Sequence, residues 1–220
     1  MKTRAELKQM AKEQIRGKIG ILFLVTVIIA IIAGLAGLIL SFIPVVGPLA
    51  VTVVLTPAFA LSVVRIYLNL AKGKDPEVMD TFSGFDDFWT AFKTTFFVGL
   101  FTFLWSLLFY IPGIIKAISY SQALYIVAEN KGIGALEAIN RSKAMMHGHK
   151  MDYFVLGLSF IGWALLGAIT FGIAYIYVIP YMSATMVNFH NDLLPEVAEP
   201  VVEDIPVAEA HAEETTETEE

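Results

Sequence analysis

IGILFLVTVIIAIIAGLAGLILSFI, residues 19–43, contains no charged side chain. At about 1.5 Å of rise per residue, a helix of this length crosses a hydrocarbon core of about 30 Å with some tilt. A cleaved signal would carry a shorter apolar run, roughly 7–15 residues, close to the N-terminus. Here residues 1–18 come first and further apolar runs follow. The stretch therefore reads as a retained crossing, and the chain around it as more crossings joined by water-facing segments.

Composition agrees. The 220 residues are 56% hydrophobic and 16% charged, with a mean hydropathy of +0.67. Soluble domains are nearer 45–50% apolar and about 25% charged. Cysteine is absent, which excludes disulfides, thiolate metal sites and cysteine nucleophiles. The net charge of −6 conceals a division, because residues 192–220 hold eleven carboxylates and no Lys or Arg. Residues 1–191 hold all fifteen basic side chains against ten acidic ones. The acidic end lacks aromatic residues and cannot bury enough apolar surface to offset the entropy of ordering, so it is expected to be a disordered tail.

Residues 1–18 predict a basic amphipathic helix. Arg4, Lys8, Lys12 and Arg16 recur every four residues on one face, beside an apolar stripe of Leu7, Met10, Ala11 and Ile15. Two readings fit: a helix lying in an anionic headgroup layer with those four cations on the lipid, or one that merely supplies positive charge to the inner side.

The first crossing ends at the Ile43-Pro44-Val45-Val46-Gly47-Pro48 turn. A second is expected over 49–70, kinked at Pro57, with Arg65 snorkelling near its end. In the polar connection 71–93, Phe82, Phe85, Trp89, Phe92 and Phe96 share a helical stripe, Ser83 is a candidate cap, and Asp86-Asp87 is a carboxylate pair without a metal or base partner. Crossings three and four are expected over 94–111 and 114–128, broken at Pro112-Gly113. The connection 129–152 should contain a helix, Ala135–Met146, with a Glu137–Arg141 pair at i+4. Residues 153–191 are again free of Asp, Glu, Lys and Arg. They suit two crossings, 153–169 and 172–190, with a turn near Thr170-Phe171-Gly172 and a kink at Pro180.

Six crossings place fourteen of the fifteen Lys and Arg on one side, all but Lys116. The positive-inside rule assigns that side, with both termini, to the cytoplasm. The expected fold is an all-α membrane protein of six transmembrane helices in three hairpins, with short amphipathic cytoplasmic helices. The hairpins read either as a parallel triplication or as chance echoes of apolar composition.

Lys116, Ser119, Tyr120 and Gln122 form a candidate polar stripe inside the fourth crossing. It reads either as a contact for an anionic headgroup or substrate, or as a snorkelling lysine with inter-helix hydrogen bonds. His147-Gly148-His149 lacks the further ligands of a metal site. Ala30-xxx-Gly34, Ala33-xxx-Gly37 and Ala164-xxx-Ala168-xxx-Gly172 permit close helix packing, within the bundle or in a homo-oligomer. No Walker A, HExxH or GxSxG motif is present. No catalytic, cofactor-binding or metal residue is therefore assigned.

Several motifs are shared with a known family. They are Ile111-Pro112-Gly113-Ile114-Ile115-Lys116-Ala117-Ile118-Ser119-Tyr120-Ser121, Ala135-Leu136-Glu137-Ala138-Ile139 leading through Ser142 to Met146-His147-Gly148-His149-Lys150, and Phe160-Ile161-Gly162-Trp163. Over residues 3–192 the chain resembles the bacterial integral-membrane family catalogued as domain of unknown function 975. The resemblance implies a multispan plasma-membrane protein and carries over no activity. The expected function is a non-enzymatic membrane scaffold or accessory protein, with a transporter or permease component for a small or lipid-like substrate as the alternative. Expected partners are anionic membrane lipids, a cytoplasmic protein reached through the acidic tail, and a second copy of the chain; no nucleic acid and no cofactor are expected.

Overall fold

The computed structural model describes residues 1–40 and 51–194, and every regular element among them is helical. The expected turn at 44–48, the start of the second crossing and the acidic tail from residue 195 lie outside the described residues.

Among the described residues, ten α-helices follow in order: α1 (Arg4–Ile15), α2 (Ile19–Leu40), α3 (Thr56–Ala71), α4 (Phe88–Leu108), α5 (Tyr110–Tyr120), α6 (Ala123–Glu129), α7 (Ala135–Met145), α8 (Lys150–Leu158), α9 (Ile161–Ile169) and α10 (Tyr175–Leu193). A π-helical turn, Val51–Leu55, leads into α3, and a 3-10 segment, Val78–Phe85, precedes α4. Among the described residues, five stretches are long and apolar enough to cross a membrane: Ile19–Leu40, Val53–Ala71, Phe88–Leu107, Tyr110–Glu129 and Lys150–Ile169. The sixth expected crossing forms α10 but is not among them. Its second half carries Asn188, His190, Asn191 and Asp192.

Prolines mark helix starts here more than kinks. Pro57 sits in the first turn of α3, directly after the π-helical turn, where its missing N–H leaves no hydrogen bond unmade. The break expected at Pro112-Gly113 lies instead at Phe109, whose extended backbone (φ −157°, ψ 140°) separates α4 from α5. Pro112 then falls within the first turn of α5. Ser83 does not cap a helix; its hydroxyl donates to the Asp80 carbonyl (2.8 Å), and Glu77 with Asp80 closes the capping box of the 3-10 segment. The expected helix at 135–146 forms as α7, with Arg141 donating to Glu137 at 2.7 Å.

Helix α4 doubles back onto α5. Gly113 faces Ser106, Lys116 lies over the Trp105 ring at 4.4 Å, and Tyr120 meets Phe101. A Cβ built on Gly113 would come within 2.0 Å of Ser106 Oγ and 2.9 Å of its Cα. Gly167 lies as tightly on the Tyr175 ring, and Gly84 on the Ala58 carbonyl. By contrast, a Cβ on Gly34 or Gly37 meets nothing within 4 Å. Gly34 and Gly37 therefore have open space beside them among the described residues.

Two zones result. At one end, α1, the first turns of α2, the last turns of α3, Met146 just after α7, α8 and the second half of α10 share a buried core that includes Leu7, Ile15, Val25, Ile66 and Phe189. Ion pairs tie the helix ends there: Lys18 to Asp75 at 2.7 Å, Lys72 to Glu129 at 3.6 Å and Lys2 to Asp192 at 3.6 Å. At the other end the large apolar side chains stand outward. Leu38, Ile39, Leu107, Phe109, Tyr110 and Ile169 are exposed, and Phe171, with a φ of 50°, is 98% exposed.

Replacing Gly113 by Val should destabilise the protein by about 1–3 kcal/mol, the usual cost of overpacking a tight contact. Gly34→Ala should be neutral or stabilising. Thermal unfolding in mild detergent checks both.

Candidate functional site

Helices α5 and α6 are interrupted at Ser121-Gln122, and the interruption is filled from α7. The Ser142 hydroxyl donates to the Ser119 carbonyl (2.8 Å) and accepts the Gln122 backbone N–H (3.1 Å). Backbone groups freed where a helix breaks away from water need such partners. The side chain of Gln122, wholly buried, donates through Nε2 to Ser121 Oγ (2.9 Å), which turns its carbonyl oxygen toward α10. There it lies 3.0 Å from Nδ1 of His190.

His190 is wholly buried, and its Nε2 lies 3.1 Å from a carboxylate oxygen of Glu129. The other Glu129 oxygen is 3.6 Å from Lys72 Nζ. Both ring nitrogens thus face oxygens. The Tyr125 ring stacks on the imidazole at 5.0 Å. One chain of contacts thereby links α3, α6, α7 and α10.

Tyr125 also lines a cavity of about 590 Å³, together with Ile29 and Ala33 of α2, Phe59 and Val63 of α3, and Tyr153 of α8. This groove is bounded on one side by α2, a helix with little burial.

The expected polar stripe divides. Ser119, Tyr120 and Gln122 are buried at the α7 and α10 contacts, whereas Lys116 sits on Trp105 within the α4–α5 pair. The Arg65 guanidinium binds the Asp87 carboxylate and the Ser83 carbonyl, pinning the 3-10 segment and the start of α4 onto α3.

The N-terminal helix is docked on protein. A capping box of Thr3 and Glu6 starts it, and the hydrogen bonds from the Thr3 backbone and hydroxyl hold the Glu6 carboxyl below its usual range. Leu7, Ala11 and Ile15 are buried, and Gln14 and Asn188 of α10 exchange a reciprocal pair of amide hydrogen bonds at 2.9 and 3.0 Å. The apolar stripe is therefore covered by protein and unavailable to a headgroup layer. Arg4, Lys12 and Arg16 are exposed. Lys8 donates to the Ser159 carbonyl (3.2 Å) and lies over Phe160; burial, with Lys12 and Arg4 nearby, lowers its pKa.

Sequence reasoning did not single out His190, Glu129, Gln14 or Asn188. The available signal was polar residues, Asn188 and His190, at the end of an otherwise uncharged apolar run.

Helices of this length and apolarity define the chain as an all-helical membrane protein. It belongs to the family described as Protein of unknown function (DUF975), whose model matches residues 1–119 and 107–196. No curated protein and no solved structure matches the chain.

Because the chain lacks cysteine, a Gln14→Cys/Asn188→Cys pair should be joined efficiently by a short thiol-reactive bifunctional crosslinker, such as a bis-methanethiosulfonate, in membranes. A pair made from Asn188→Cys and exposed Glu13→Cys should react poorly. Equal reaction of both pairs, read as gel mobility after proteolysis between the sites, would contradict the docked α1.

Proposed function

We propose that the protein is a non-enzymatic scaffold or accessory protein of the bacterial plasma membrane. In this reading it has six crossings arranged as three hairpins, with spans near 19–43, 49–70, 94–111, 114–128, 153–169 and 172–190. Both termini are cytoplasmic, and residues 195–220 add an acidic extension.

The observation that carries the reading is the division of the molecule. Its ion pairs and its short helices α1 and α7 are gathered at one end, where they form a packed block. Such a block offers a shaped, charged surface for a partner in the cytoplasm, while the opposite end offers apolar side chains to lipid. An even number of crossings is supported by the Lys2 backbone N–H, which donates to Asp192 at 2.7 Å and so sets the N-terminal segment beside the end of α10. Exposed Arg4, Lys12 and Arg16, with half-buried Lys8, make that end basic and suit it to anionic lipid. The acidic tail suits a basic protein partner, and the open small-residue face of α2 suits a second copy of the chain.

The groove between α2, α3, α6 and α8 favours a second reading, a transporter or permease component for a lipid-like substrate.

Reporter fusions after Lys74, after Lys131 and at the C-terminus should all report a cytoplasmic location; an exterior signal at any of them overturns the six-crossing arrangement. Purification from native membranes with and without residues 195–220 should yield a stoichiometric protein partner that is lost with the tail. A retained lipid or small molecule without any protein partner favours the transporter.

A further inference from the structure

The groove has a length and a polarity as well as a volume. Its shallow wall is set by Tyr125 of α6 and Tyr153 of α8. Tyr125 lies one helical turn from Glu129, and Tyr153 one turn from Lys150, both at the charged end. Its deep wall is set by Ala33 of α2 and Thr56 of α3. Measured from Ile19 and Ala71 at about 1.5 Å per residue, these lie roughly 21–22 Å below the same end. The groove thus begins about 6 Å in and runs about 15 Å further, a length close to half of a hydrocarbon core about 30 Å thick. Two tyrosines stand at the shallow end, Ser121 lies about 12 Å in by the same measure, and the rest of the lining is aliphatic and aromatic apart from Thr56.

From this match we infer that the groove is a binding site for one acyl chain of a phospholipid in the leaflet at the charged end. The ester region lies at Tyr125 and Tyr153, and the chain runs past Ser121, Phe59 and Val63 toward Ala33. The inference deepens the lipid-like reading of the groove and does not depend on transport. Tyr125 touches both the chain site and His190, so chain occupancy bears directly on the stacked face of the buried network.

The test uses the full-length protein in nanodiscs of phosphatidylglycerol and phosphatidylcholine. One of two probes is doped in: a phosphatidylglycerol carrying a diazirine along one acyl chain, or a free fatty acid with the same diazirine. After irradiation, labelled peptides are mapped by mass spectrometry. The expected result is phospholipid labelling concentrated on the groove walls at Ile29, Phe59 and Val63, above that on the outward face of α2 at Leu35. Ala60→Trp, which narrows the groove, should abolish the excess at the walls and leave Leu35 labelled. Tyr153→Phe, a substitution too mild to unfold the protein, should reduce the excess in the same direction. Labelling of the walls no stronger than at Leu35 overturns the site, and so does labelling by the fatty acid alone. A labelled chain that is bound but not moved between leaflets sinks the transporter reading and leaves the site standing.

Discussion

A polar group taken out of water inside a membrane protein must find its partner within the protein. In this chain the heaviest such demand falls on His190, which is wholly buried on α10. Gln122 answers one ring nitrogen and Glu129 the other, and Tyr125 covers the ring face. Gln122 can do so only because the helix is broken beside it, and the break is tolerable only because Ser142 supplies a donor and an acceptor there. Lys72 then balances Glu129 from the end of α3. Removing one partner would leave a buried group unpaired, at a cost of about 1–3 kcal/mol and more where charge is involved.

The same logic explains why the molecule has two zones. Where polar groups are buried they must be met by specific partners, so the charged end is closely packed and draws in α1 through Asn188 and Gln14. The far end exposes mainly apolar side chains. Hydrocarbon is as good a neighbour as another apolar side chain, so Phe109, Ile169 and Phe171 can stand outward and α2 can have few protein contacts. The groove lies where these zones meet, with two tyrosines toward the packed end and apolar walls toward the open one.

Much of this was legible in residues 19–43 and the uncharged runs that follow, because apolar length is a direct measure of crossing. The amphipathic pattern of residues 4–16 located α1 and its buried stripe, but periodicity cannot say whether protein or lipid covers such a stripe. Proline positions misled at Pro57 and Pro112, since a proline in a first helical turn and one that breaks a helix look alike in sequence. The polar stripe was placed on one helix; the unforeseen break at Ser121-Gln122 sent Lys116 to Trp105 and Gln122 to His190. His190 and Glu129 were passed over because they lie 61 residues apart and only the fold joins them.

The most direct test of this account is the coupling between Gln122 and His190, measured by a double-mutant cycle of Gln122→Leu, His190→Leu and the pair in reversible unfolding in detergent. The account predicts that each single substitution is more damaging than its share of the double, with a coupling energy of about 1–3 kcal/mol. Additive effects would contradict it, because the buried imidazole would then not depend on the amide that the helix break presents to it.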